Sequence, residues 1–164
     1  MSMYFIGIDI SKYKHDCCII SAANQKVVSK VIIKNNKAGF NELLTIIHSL
    51  ANPADIRIGF ESTAHYALNL ELFLENSLLT FMEVNPVLIS EYKKSKTLRR
   101  TKTDSVDCES IARWLMTVEY KPHSKGFYHA YSLKSLTRLR DKLIRQRSFY
   151  LVKITNVLDL SLIH

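Results

Sequence analysis

Glycine and proline are scarce in this chain, at 4 and 3 of 164 residues. Disordered low-complexity segments are usually rich in both, so that class is set aside. Chemistry that grips phosphates through glycine-rich loops is equally poorly supplied. Cysteine is limited to Cys17, Cys18 and Cys108. An odd count with two adjacent members makes no disulfide framework, and no zinc-type spacing occurs. Reduced cysteines are expected. Long hydrophobic runs are absent too. None approaches the roughly 20 residues of a membrane span. Asp9 interrupts the only early apolar run, and no charged segment precedes it, so a signal peptide is not read here. The expectation is a soluble, intracellular protein with no membrane partner.

What the chain does have is apolar content for a core, 47%, and a formal net charge of +8 with a pI near 9.4. Such a balance favours an anionic partner, nucleic acid or an anionic membrane surface.

Hydrophobic spacing outlines an α/β chain. Residues 3–10 read as a buried strand, and 15–21 and 27–33 as two more, with Asn24-Gln25 as the turn between them. Phe40, Leu43, Leu44, Ile47 and Leu50 fall at helical spacing over 38–51, ended by Asn52-Pro53. A strand at 56–60, a helix over 64–76, a strand at 78–84 and a short helix from Asn85-Pro86 to about Tyr92 follow. The order predicts a mixed sheet with helices on its faces. Lys93, Lys94, Lys96, Arg99, Arg100 and Lys102 then give six positive charges with no acid among them, read as an exposed loop. A helix is expected from about Thr103 to Val118, with Cys108, Ile111, Ala112, Leu115 and Met116 as its buried stripe. After a loop from Pro122 to Tyr131, Leu136, Leu139, Leu143, Tyr150, Ile154, Val157 and Leu160 predict a long helix from near Ser132, suited to coiled-coil packing. The pattern runs uncapped to His164, and the chain is read as a fragment of a longer protein.

Four carboxylates stand in informative places. In the first strand Tyr4, Ile6, Ile8 and Ile10 take one face, and Phe5, Gly7 and Asp9 take the other. A carboxylate among apolar strand residues is costly unless paired, hydrogen-bonded or metal-bound. Gly7 beside it leaves room for close approach. Glu61 ends the fourth strand, on a face with Arg57 and Gly59. If the two strands are parallel neighbours, both acids emerge at the carboxyl edge, where α/β folds place their sites. A solvated strand end is the other reading of Glu61. Asp104 and Asp107 share one helical face. Capping of a helix start explains them as well, although a shared cation would relieve their repulsion. Together the four are hard oxygen donors suited to Mg²⁺. Two such ions about 4 Å apart serve phosphodiester chemistry. The basic stretch beside them could contact a phosphate backbone, or be merely a solvated connection.

Gly7-Ile8-Asp9-Ile10-Ser11-Lys12, Phe60-Glu61-Ser62-Thr63 with Tyr66, Asn85-Pro86, and Lys102-Thr103-Asp104-Ser105-Val106-Asp107, in this order, resemble the DEDD transposases of the IS110 insertion-sequence family, relatives of the Piv DNA invertase. The resemblance covers residues 3–160. It implies a RuvC-like, ribonuclease-H-like fold, with Asp9, Glu61, Asp104 and Asp107 as catalytic and metal-binding residues for Mg²⁺, Mn²⁺ substituting. The implied organisation is a catalytic domain over 1–131 and, over 132–164, the start of a coiled-coil linker to a second domain bearing a nucleophilic serine. That domain lies outside this sequence, so no serine here is assigned. The implied function is strand cleavage and exchange at the ends of a mobile element in the bacterial cytoplasm, close to the nucleoid. The implied partners are DNA, a structured guide RNA and further copies of the chain, as dimer or tetramer, through the last helix. Lys12, Lys93, Lys94, Lys96, Arg99, Arg100 and Lys102 are the candidate nucleic-acid contacts. Arg138, Arg140, Lys142, Arg145 and Arg147 could join them, or could solubilise a coiled coil. One departure is Ala64-His65, where the family commonly has Gly; His65 reads as a surface residue at a helix start, with an approach to the metal site as the alternative. Two other classes stay in view. One is an actin-like phosphotransferase, against which the glycine count argues. The other is a non-catalytic nucleic-acid-binding or assembly module of the same fold.

Overall fold

Strand alternation decides the first element. Ile6, Ile8 and Ile10 bury one side of β1 (Tyr4–Ile10), and the next residue along is always committed to the other side. A computed structural model describes residues 3–61, 66–96, 104–123 and 127–162; at 96, 104, 105 and 127–134 it describes the backbone alone. β1 turns through Ser11–Tyr13 into β2 (Lys14–Ser21), which turns again into β3 (Val27–Lys34). Both pairings are antiparallel. Helix α1 (Lys37–Leu50) follows, capped by Asn36, whose side chain accepts the Gly39 N–H at 3.0 Å. After a 3-10 turn at Pro53–Asp55, β4 (Ile56–Glu61) lies parallel to β1. Helix α2 (Leu68–Asn76) leads to β5 (Phe81–Val84), parallel to β4. The sheet order is β3-β2-β1-β4-β5. Helices α3 (Pro86–Lys96) and α4 (Asp104–Leu115) complete this part of the chain.

Each face of the sheet has its own apolar layer. One layer joins Ile6, Ile8, Ile33, Ile58 and Phe60 to Phe40, Leu43 and Ile47 of α1 and Leu70 and Leu74 of α2. The opposite face packs Phe5, Cys18, Ile20, Met82 and Val84 against Ile89 of α3 and Cys108, Ile111, Ala112 and Leu115 of α4. The expected helical stripe on α4 is therefore the buried one. All three cysteines are buried free thiols.

Several boundaries differ from the sequence reading. β5 begins at Phe81 because Leu78 is not strand but the left-handed residue (φ 57) that closes α2. Leu79 N–H bonds to Leu74 O at 2.9 Å and Leu78 N–H to Glu75 O at 3.0 Å, the paired bonds of a helix stop usually given to glycine. Helix α2 starts at Leu68; residues 62–65, His65 included, lie outside the described residues. Helix α3 runs on to Lys96, so Lys93–Lys96 is helical and not loop. Lysine is a good helix former, and positive charge suits a helix C-terminus.

The chain divides into two compact units, Met1–His123 and Ser124–His164. The second is built on helix α5 (Phe127–Ser161), 35 residues and about 50 Å long. It starts five residues before the expected Ser132, since neither Gly nor Pro occurs after Gly126 to stop it. Among the described residues no helix is long and apolar enough to cross a membrane.

Candidate metal centre

β1 and β4 bring two of the predicted acids together. Their register pairs Gly7 with Gly59 and Ile8 with Phe60, so the next residues in line are Asp9 and Glu61. Both are half-buried and lie at the carboxyl ends of their strands, on the face opposite the α1–α2 layer. Two carboxylates on neighbouring parallel strands thus stand side by side at the carboxyl edge.

The third element is carried to the same edge by backbone contact. A Cβ on Gly7 would collide with the Cys108 carbonyl oxygen and the Ala112 nitrogen, so α4 rests on bare β1 backbone. At Gly59 the neighbour is Leu115, its side-chain carbons 2.7 and 2.8 Å from such a Cβ. Phe5, further back along β1, packs with Ile111, Trp114 and Leu115. The helix therefore runs back along the strand, and its opening turn, with Asp104 and Asp107, points toward the Asp9 end. Lys30 of β3 ties it there through Glu109 at 2.7 Å, and Arg113, one turn further along α4, bonds the same carboxylate at 2.8 Å. The Lys30 hydrogen bond, helped by Arg113 and opposed by burial, keeps the Glu109 carboxyl below the usual carboxylate range.

Asp107 is half-buried, and its Oδ1 accepts from Lys93 Nζ at 2.8 Å. Lys93, expected in a loop, instead lies near the end of α3 and reaches the Asp107 carboxylate from there. Asp104 opens α4, and its side chain lies outside the described residues. Among the described residues no three His, Cys, Asp or Glu side chains form a group able to hold a metal ion. The donors nonetheless fit a hard divalent cation in kind, all of them carboxylates. Asp9 and Glu61 also share one edge of the sheet.

A fifth acid went unnoticed in the sequence. The antiparallel register sets Asp16 of β2 directly opposite Asp9. Residues so paired point to one face, with Cβ atoms about 5 Å apart. Asp16 is buried, at 7% exposure, and Lys14 Nζ stands 3.3 Å from its Oδ2. Like charges placed opposite each other destabilise a sheet unless a cation lies near. The two-residue turn Lys12–Tyr13, closed by the Ser11 N–H on the Lys14 carbonyl, fixes Asp16 as the residue that faces Asp9.

Of the remaining basic candidates, Lys12 and Lys94 are exposed. The Lys96 side chain, and Arg99, Arg100 and Lys102 altogether, lie outside the described residues. Within the second unit Arg138, Arg140, Lys142, Arg145 and Arg147 are exposed along α5, three of them in one strip with Phe149 and Tyr150.

This chain is similar to several known proteins. The pilin gene-inverting protein of Moraxella bovis is 33% identical over 115 residues, 70% of this chain and 34% of that protein. Its counterpart from Moraxella lacunata matches to the same extent. The chain spans about a third of the length of these relatives. Among solved structures, Thermus thermophilus RuvC superposes with a TM-score of 0.52 at 11% identity, covering 74% of this chain and 100% of that one. The same organism's RuvC in complex with a Holliday junction substrate gives 0.51 at 11%, covering 74% and 99%. At that identity the likeness is one of fold: RuvC-like, with a mixed five-stranded sheet between helices. The sequence profile of the DEDD transposases of IS110 type, described as a transposase, matches residues 6–163, nearly the whole length. The chain therefore belongs to the IS110-type DEDD transposase family.

Proposed function

We propose that this chain is the acidic half of the active site of a DNA recombinase, which cuts and rejoins strands at the ends of a mobile element. Asp9, Glu61, Asp104 and Asp107 would hold Mg²⁺, or Mn²⁺ in its place. One observation carries the reading: Asp9 and Glu61 close neighbouring parallel strands on the face that α4 crosses. Bound there, paired divalent ions would activate the attacking oxygen and stabilise the leaving one. Lys93 has the narrower task of fixing Asp107 through a charge-assisted hydrogen bond. Lys12, Lys94, Lys96, Arg99, Arg100 and Lys102 would neutralise the phosphate backbone of the strand. The relatives named for inverting a pilin gene support chemistry of this class. Guidance by a structured RNA and assembly into a dimer or tetramer through α5 rest on the family resemblance, as does a place near the bacterial nucleoid. The domain division at about residue 131 has the same basis.

The test is Asp9→Asn in a protein that supports recombination of a marked element. Recombination should fall to background while circular dichroism and melting temperature hold. Retained activity would remove the metal role. A second reading, a nucleic-acid-binding or assembly module without catalysis, draws on the net charge of +8. Titration with Mg²⁺ or Mn²⁺ separates the two. Stabilisation of the wild type that Asp9→Asn abolishes supports the catalytic site, and equal responses support the module.

A further inference from the structure

Tyr13 sits at the tip of the β1–β2 connection with 75% of its surface in solvent. Single exposed aromatics are ordinary on protein surfaces. This one differs in how firmly its backbone is held. The Tyr13 carbonyl accepts the Asn35 N–H at 2.9 Å, and the Lys12 carbonyl accepts the Asn35 side-chain amide at 3.2 Å. Ser11 closes the turn by donating its N–H to the Lys14 carbonyl at 3.2 Å. Beneath the turn His15 is fully buried and stacked on Phe40, ring centroids 5.9 Å apart and planes within 5°. A pinned loop that keeps its one aromatic ring in water is arranged to present that ring.

The surroundings indicate what the ring would meet. Lys12 Nζ stands 4.9 Å from the ring centroid, and Lys14 follows directly in sequence. Positive charge with an aromatic platform is how proteins hold unpaired nucleotides, charge for the backbone and stacking for the base. Tyr13 is four residues beyond Asp9, so their Cα atoms are at most about 14 Å apart. A strand lying on the acidic edge would pass within a few nucleotides of the ring.

We propose that Tyr13 is a stacking platform for an unpaired base of the DNA strand that approaches the Asp9–Glu61 edge, with Lys12 on the flanking phosphate. This rests on the nucleic-acid reading above. The experiment measures binding of the purified chain to a labelled single-stranded DNA oligonucleotide by fluorescence anisotropy, without divalent ions and across a salt series. Tyr13→Ala should weaken binding about tenfold or more without changing the salt slope, because no charge is removed. Tyr13→Phe should bind within about twofold of the wild type. In Tyr13→Trp the introduced indole should be quenched on binding; the native Trp114 is 8% exposed and serves as a quiet background. If the wild type binds DNA and Tyr13→Ala binds equally well, the platform is wrong while the recombinase reading stands. If the wild type binds no DNA, both fall. Tighter, Tyr13-dependent binding to the RNA version of the oligonucleotide overturns the assignment to the DNA strand.

Discussion

Gly7 shows how one residue type can set a helix on a sheet. Its missing side chain lets the backbone of α4 lie on β1, and that close approach turns the opening of α4 toward the Asp9 end of the strand. Gly7→Ala should therefore destabilise the fold by about 1–3 kcal/mol, the usual range for overpacking against atoms that cannot move aside. Gly59→Ala should cost less, because the Leu115 side chain it meets can rotate away. Urea unfolding of both variants checks the order, and equal losses would mean that α4 does not need the close approach at Gly7. The acids at 9 and 61 were legible because strand alternation and strand ends are local patterns. Asp16 was not, because its importance depends on the partner that the β1–β2 register gives it. The pairing of Lys93 with Asp107 was hidden for a related reason. The two are 14 residues apart and meet only because α3 packs on α4.

At the scale of elements, periodicity located the strands and helices but not their ends. Lys93–Lys96 looked like loop because it lacks apolar residues, yet a helix can end in solvent with lysines favouring its negative pole. Leu78 looked like strand because it is apolar, yet its positive φ makes it a helix stop. Helix α5 presents the opposite problem. Leu139, Leu143, Tyr150, Ile154 and Val157 are all at least half exposed, in the spacing of a coiled-coil seam. A seam of this length is proposed to be covered by further copies of the chain. Combined Leu143→Glu and Ile154→Glu should lower the mass seen in sedimentation equilibrium and leave the Met1–His123 unit folded. An unchanged mass would assign the stripe to something other than self-association.

Across the whole molecule the charge of +8 and the acidic edge pull in opposite directions. The net charge attracts a polyanion, and the carboxylates repel it where chemistry would occur, unless cations intervene. DNA binding by the chain should thus weaken steeply with salt. Charge reversal at Arg99, Arg100 and Lys102 should make the salt dependence shallower, by about one unit of slope for each phosphate that is no longer neutralised. A binding titration at several salt concentrations reads this directly, and an unaltered slope would reduce that stretch to a solvated connection. The amino-acid order by itself determined the α/β class, the acids at the ends of β1 and β4, the basic balance and the long last helix. All of these are written in local spacing and composition. Only the tertiary structure decided that Asp16 faces Asp9, that Lys93 holds Asp107 and that α4 lies on the backbone of Gly7. Such pairings join residues distant in sequence, and their geometry follows from strand register and helix packing, which no local pattern records.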